Sequence, residues 1–228
     1  DNYTSGVNED GTITPGVGGQ AFDAEYLFYK VVGNTLYLGL QTGFDLEDGQ
    51  YKHTDNRMYY AGDLALSFDN TSETYEYAID FGFYTQDYYG HKVEADSDSN
   101  GTDQAGFYTD ITWNDKVYSG HTIAAPLAMD EGKVVNGALK SNTWLSETVG
   151  NEFSNYRILQ LDLPTILGSQ WMVDGFTLSA HWTMSCGNDE INGVVTIPAA
   201  PVPEPATMLL FGSGLIGFAG IARRRLNR

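Results

Sequence analysis

The stretch Asp174-Gly175-Phe176-Thr177-Leu178-Ser179-Ala180-His181-Trp182-Thr183-Met184-Ser185-Cys186 alternates without interruption from Phe176 onward. Phe176, Leu178, Ala180, Trp182, Met184 and Cys186 fall on one face of an extended chain, and Thr177, Ser179, His181, Thr183 and Ser185 on the other. This predicts a long, half-buried strand whose polar face meets water. The same period runs from Tyr75 to Phe83, where Tyr75, Tyr77, Ile79, Phe81 and Phe83 share a face opposite Glu76, Ala78, Asp80 and Gly82. Shorter matches are Leu36, Leu38 and Leu40; Leu64, Leu66 and Phe68; Phe107, Ile111 and Trp113; and Leu159, Leu161 and Leu163. Turn-forming residues such as Val32-Gly33-Asn34, Asp48-Gly49 and Asp69-Asn70 separate them, and no helical period is convincing before Ala206. Many strands with polar second faces imply an all-β domain of two antiparallel sheets packed face to face, a β-sandwich of jelly-roll-like type.

Composition fits one such domain. The chain has 228 residues with 42% hydrophobic side chains, too apolar for the charge-driven disordered class. Residues 1–19 read as a flexible leader, 20–197 as the sandwich, 198–205 as an extended Pro-rich spacer, and 206–228 as a hydrophobic segment with a basic end. The first residue is Asp1 and no charged, apolar leader precedes the body, which suggests mature numbering after signal-peptide removal. Asp and Glu number 30 against 12 Lys and Arg, a net charge of -18. Four of the positives are Arg223, Arg224, Arg225 and Arg228, so everything before them carries eight positive and thirty negative side chains, or -22. Such a body repels phosphate backbones, which excludes nucleic-acid binding through a broad basic surface. A single Cys excludes an intramolecular disulfide and any multi-cysteine metal site.

The tail reads Pro201-Val202-Pro203-Glu204-Pro205, then an uncharged run from Ala206 to Ala222, then the arginines. Seventeen residues of helix reach roughly 25 Å, near the lower limit for a transmembrane-type helix, and the arginines would hold that end on the cytoplasmic side. This order of Pro203-Glu204-Pro205, a short Gly-rich apolar run and the Arg223-Arg224-Arg225 cluster resembles the PEP-CTERM sorting signal. The resemblance implies recognition by exosortase, a membrane-embedded cysteine transpeptidase of Gram-negative bacteria. It also implies export, transient inner-membrane anchoring through the C-terminal segment alone, removal of the tail, and residence at the cell surface or in an extracellular biofilm matrix. The body in turn looks like a group of exosortase-sorted surface proteins. That likeness is carried by Phe22-Asp23-Ala24-Glu25, Leu36-Tyr37-Leu38-Gly39-Leu40-Gln41-Thr42-Gly43, Ala61-Gly62-Asp63-Leu64-Ala65-Leu66, Tyr75-Glu76-Tyr77-Ala78 and, most specifically, His181 to Asp189.

The sharpest local motif is Asp96-Ser97-Asp98-Ser99-Asn100-Gly101-Thr102-Asp103. Oxygen ligands at Asp96, Asp98 and Asn100, a turn glycine, the Thr102 carbonyl and a further carboxylate from Asp103 or Glu94 are what a structural Ca²⁺ loop requires. The position where such a loop carries its bidentate Glu is Phe107, and a solvated acidic hairpin is the competing reading. Asp45, Glu47 and Asp48, with Asp55 and Asp63 downstream, offer the carboxylates a glycosidase needs, although such clusters usually line solvated loops. Asp23, Glu25 and Asp63 sit at strand starts, where turn capping is the simpler role. His181 and Cys186 fall on opposite faces of one strand and cannot form a thiol dyad. No nucleophile elbow, P-loop, HExxH or dinucleotide fingerprint occurs. These observations favour a non-catalytic surface or matrix protein that self-assembles through sheet edges or an inserted terminus. Against it stand a carbohydrate-binding adhesin stacking extracellular polysaccharide on Tyr59, Tyr60, Tyr84, Tyr88 and Tyr89, and a secreted polysaccharide hydrolase.

Overall fold

The computed structural model describes residues 19–69, 74–93, 104–149 and 152–199. In chain order the strands are β1 (Ala24–Val32), β2 (Thr35–Thr42), β3 (Gln50–Lys52), β4 (Met58–Tyr60), β5 (Leu64–Ser67), β6 (Tyr77–Asp80), β7 (Thr85–Gln86), β8 (Lys92–Val93), β9 (Gly106–Asn114), β10 (Ala128–Val134), β11 (Leu139–Val149) and β12 (Glu152–Asp162). Two short helices, α1 (Leu163–Leu167) and α2 (Trp171–Asp174), then lead into β13 (Phe176–Thr183) and β14 (Glu190–Ile197). Single 3-10 turns occupy Gln20–Phe22 and Thr122–Ala124. Among the described residues no helix is long and apolar enough to cross a membrane. The Asp96–Asp103 loop and the tail from residue 200 onward lie outside the described residues.

One sheet runs β1-β2-β12-β11, the other β10-β9-β6-β5-β13-β14, and every pairing is antiparallel. Gly33, at φ +58°, takes the tight turn from β1 to β2 that a side chain would strain. Leu36, Leu38, Leu40, Leu159 and Leu161 from the first sheet meet Leu64, Leu66, Ile79, Phe107, Leu178 and Trp182 from the second in one continuous core. Each fully buried Leu, Ile or Phe there contributes roughly 1.5–3 kcal/mol relative to exposure. The antiparallel sandwich therefore forms as the alternation requires.

Its topology departs from the jelly-roll expectation. A jelly roll is a rolled antiparallel ribbon, so neighbouring connections cross between the sheets in opposite directions. Here the connections β2→β5 and β12→β13 both pass from the four-stranded to the six-stranded sheet, while β2 lies beside β12 and β5 beside β13. That is the Greek-key arrangement of immunoglobulin-type sandwiches, with their B–E and C–F neighbours. Strand alternation carries no information about crossing direction, because either topology presents the same apolar face to the core.

Three expectations about strand faces also change. The outer face of β13 is not wet: Ser179, His181 and Thr183 are as buried as their core-facing neighbours. The Tyr75–Phe83 run is a strand only over Tyr77–Asp80; Gly82, at φ +86°, bends the chain so that Phe81 and Phe83 reach the core from a loop, and Tyr75, ahead of the strand's start, lines the outer face instead of Tyr77's. In β9, Asp110 takes φ +55° and the register to β10 slips between Glu131 and Lys133. One extra residue reverses the alternation beyond it, so Phe107 points into the core while Ile111 and Trp113 join Tyr108, Ala78 and Met129 on the opposite face.

Candidate functional site

These irregularities build a groove on the outer face of the six-stranded sheet. The pairings Asn192↔His181↔Ala65↔Ala78↔Tyr108 form one row across that face, and the polar residues at its β14 end, His181 and Asn192, line the groove. The β9 bulge delivers Trp113 to one wall, and the Trp113 Nε1–H donates to the Tyr75 carbonyl at 2.8 Å. Tyr75 in turn stacks on the His181 ring, with centroids 5.7 Å apart and planes 29° apart. The segment from Thr122 to Pro126 forms the facing wall and presents Ile123, which is 69% exposed. The resulting groove of about 1030 Å³ is lined by Tyr75, Trp113, Ile123, His181, Glu190 and Asn192 among others.

The polar end is buried and connected. His181 is 1% and Glu190 7% exposed. His181 Nε2 lies 3.0 Å from the Pro126 carbonyl, which can only accept, so that nitrogen carries a proton. Nδ1 faces Asn192 Oδ1 at 2.8 Å and Glu190 Oε2 at 3.6 Å. Both ring nitrogens thus face an oxygen atom, and the Glu190 carboxylate lies beside Nδ1. Burial, reinforced by the Glu190 carboxylate, pushes the Tyr75 phenol up to about 12. Asp115 and Glu190 lie along the groove and no lysine or arginine lines it, so its potential is negative. It can hold a ligand by aromatic contact and hydrogen bonds; it repels an anion.

The sequence-selected tyrosines lie elsewhere, on the β3–β4 and β7–β8 hairpins and their flanks. The Arg57 guanidinium sits 3.6 Å from the Tyr88 ring centroid and 5.7 Å from that of Tyr59, while Tyr60 and Tyr84 meet edge to face at 5.9 Å. Tyr88 also contacts Tyr89 and Tyr118. Burial raises the phenols of Tyr59 and Tyr60. The five tyrosines are therefore brought together largely as packing that fastens two hairpins, with Tyr84 and Tyr89 more exposed than the rest.

The acidic residues of the hydrolase reading are engaged in turns. Asp45, Asp48 and Asp55 each accept the backbone N–H two residues on, from Glu47, Gln50 and Arg57. Asp63 Oδ2 accepts from the Met129 N–H at 2.8 Å, tying the start of β5 to β10. Glu25 bonds Gln20, Gln41 and Ser154. Among the described residues no group of three or more His, Cys, Asp or Glu side chains is arranged to hold a metal.

The His181–Asp189 stretch proves to be a junction. Trp182 Nε1–H donates to the Gly62 carbonyl, Ser185 N–H to Tyr60 O, and Thr183 Oγ1–H to Asp189 O, while Asp189 Oδ2 accepts the Ala24 N–H of β1. Gly62 lies against the Leu127 and Thr183 carbonyls, where a Cβ would sit 2.0 and 2.8 Å from their oxygens. Cys186 is buried, and that burial pushes its thiol up to about 12. His181 projects from the opposite face. Sequence reasoning missed Tyr75, Glu190 and Asn192 as partners of His181, and Trp113 as the partner of Tyr75. The available signal was a histidine on the polar face of a strand central enough to be covered on both sides.

The family model of the PEP-CTERM protein-sorting motif matches residues 201–225, which enclose Pro203-Glu204-Pro205 and Arg223-Arg224-Arg225. The chain thus carries this sorting motif, which marks cargo processed by exosortase and sorted to the cell envelope or exterior of Gram-negative bacteria. No curated protein and no solved structure matches the chain.

Proposed function

We propose that the sandwich is a non-catalytic structural protein of the cell surface or biofilm matrix, released from its membrane-held tail by exosortase and assembled outside the cell with copies of itself or with extracellular polysaccharide. The observation that carries this reading is the sorting motif at residues 201–225, fused to an acidic β-sandwich. Supporting the non-catalytic part, Asp45, Asp48 and Asp55 are occupied in turns, and the Cys186 thiol is held neutral in the core. A cut between Glu204 and Arg223 leaves a charge of -22, so copies repel one another unless cations intervene. Calcium at Asp96, Asp98, Asn100, Thr102 and Asp103 is the cation we assign to that role.

The test is expression of a tagged chain in an exosortase-bearing Gram-negative host and in the same host lacking the enzyme. The expected result is a tail-shortened protein in the extracellular fraction of the first and a full-length, membrane-associated one in the second, with Pro203→Ala/Pro205→Ala behaving like the second. Release that ignores both changes overturns the reading. For calcium, chelation with EDTA should lower the melting temperature, since a ligand of the native state stabilises by mass action; an unchanged value removes the ion from the proposal.

A further inference from the structure

We propose that the groove on the outer face of the six-stranded sheet is a binding site for an uncharged polysaccharide, and that Trp113, Tyr75 and the His181–Glu190–Asn192 cluster form it. Four observations converge. The groove's size, about 1030 Å³, stands at the upper end of small-ligand pockets and leaves room for a segment of chain rather than only a compact metabolite. Two aromatic side chains line it, joined by the Trp113–Tyr75 hydrogen bond and the Tyr75–His181 stack, so they are fixed before a ligand arrives and little ordering entropy is lost on binding. Their apolar surfaces match the C–H faces of a pyranose.

The third observation is the buried polar end. Glu190 and Asn192 offer oxygen and amide groups to hydroxyls, and His181 holds them in place through bonds of its own to Asn192 and Pro126. Its polar groups are held by bonds within the protein, and sugar hydroxyls, which both donate and accept, can add to them along the groove. The fourth is charge. With Asp115 and Glu190 on the walls and no lysine or arginine, a polyuronate or sulfated polymer meets like charge, whereas a neutral hexose polymer does not. The choice of a polysaccharide over a cytoplasmic ligand rests on the export reading, but the site itself does not.

Affinity electrophoresis of the full chain in mild detergent, through native gels containing dextran or laminarin as neutral probes and alginate as a polyuronate, separates the two questions. The expected result is retardation by at least one neutral polymer and none by alginate. Trp113→Ala should weaken that retardation about tenfold or more. Ile123→Asp, at an exposed rim position that leaves the core untouched, should do the same with an unchanged thermal melting curve, so a misfolded Trp113 variant does not decide the matter. Tyr89→Ala, on the hairpin outside the groove, should migrate as the parent. Retardation by alginate instead, by no neutral polymer, or by a neutral polymer but undiminished in both groove variants overturns the proposal. Failure of export would show in the fractionation experiment and leave these mobilities unchanged.

Discussion

β2 and β13 each lie inside their sheets and read alike in sequence, apolar residues alternating with polar ones, yet they are buried differently. In β2, Leu36, Leu38 and Leu40 are buried and Thr35, Tyr37, Gly39 and Gln41 are partly open to solvent. In β13, only Thr177 is partly open, and Ser179, His181 and Thr183 are sealed. The difference does not come from the strands. Among the described residues the outward side chains of β2 stay partly exposed, whereas Tyr75 and the Thr122–Pro126 segment lie over the six-stranded sheet. A polar side chain tolerates either setting, in water unaided or under cover with partners, and His181 has its partners in Pro126, Asn192 and Glu190.

The comparison can be tested one face at a time. On the core faces the strands should behave alike. Trp182→Ala, which empties a fully buried site and leaves the Gly62 carbonyl without its donor, should cost about 3–5 kcal/mol in urea denaturation. Leu38→Ala should cost about 2–5 kcal/mol by the same measurement. A loss below about 1 kcal/mol for either would mean that strand does not share the common core. The outer faces should part company. His181→Ala empties a buried site and removes the ring that Asn192 and Glu190 contact, and should cost about 2–4 kcal/mol, whereas Tyr37→Ala should stay within about 1 kcal/mol. Equal losses at the two positions would show that the outer face of β13 is as wet as its sequence alone suggests.

That asymmetry also marks where the sequence stops being readable. Local alternation is enough to place Leu36, Leu38, Leu40, Leu178 and Trp182, because a strand has only two faces and the apolar one must be covered. The sorting motif is legible for a different reason: it is a contiguous address that needs no fold. The groove required three non-local facts. Asp110 had to adopt a left-handed conformation to turn Trp113 outward, β6 had to begin only at Tyr77 and leave Tyr75 outside it, and the 115–127 segment had to fold back over β13. None of these leaves a periodic trace. The tyrosines of the β3–β4 and β7–β8 hairpins were conspicuous as Tyr59-Tyr60 and Tyr88-Tyr89, but the strand β4 sends Tyr59 and Tyr60 to opposite faces, and much of the aromatic surface of both pairs is spent on Arg57 and on other tyrosines. Crossing direction was equally hidden, since β2 and β12 bury the same leucines whichever way their chains leave the sheet.

The smallest expected effect probes the cover itself. Tyr75→Phe keeps the ring over His181 and removes a hydroxyl whose contact with Asn192 Oδ1, at 3.5 Å, is long, so stability near pH 8 should change by less than about 1 kcal/mol. The difference should emerge in alkali. Below pH 10 the phenol is protonated in folded and unfolded chains alike, and its share of stability is intact. Between pH 10 and about 12 the unfolded chain gives up the proton while the folded one, whose phenol is buried beside Glu190, retains it, so stability falls as pH rises. Tyr59, Tyr60, Tyr77, Tyr156 and Cys186 are raised as well and steepen the fall in parent and variant equally. The Phe variant should therefore lose stability less steeply than the parent across that window, measured by urea midpoints at successive pH values. Parallel curves would place the Tyr75 hydroxyl in water, and with it would go the sealed outer face that separates β13 from β2.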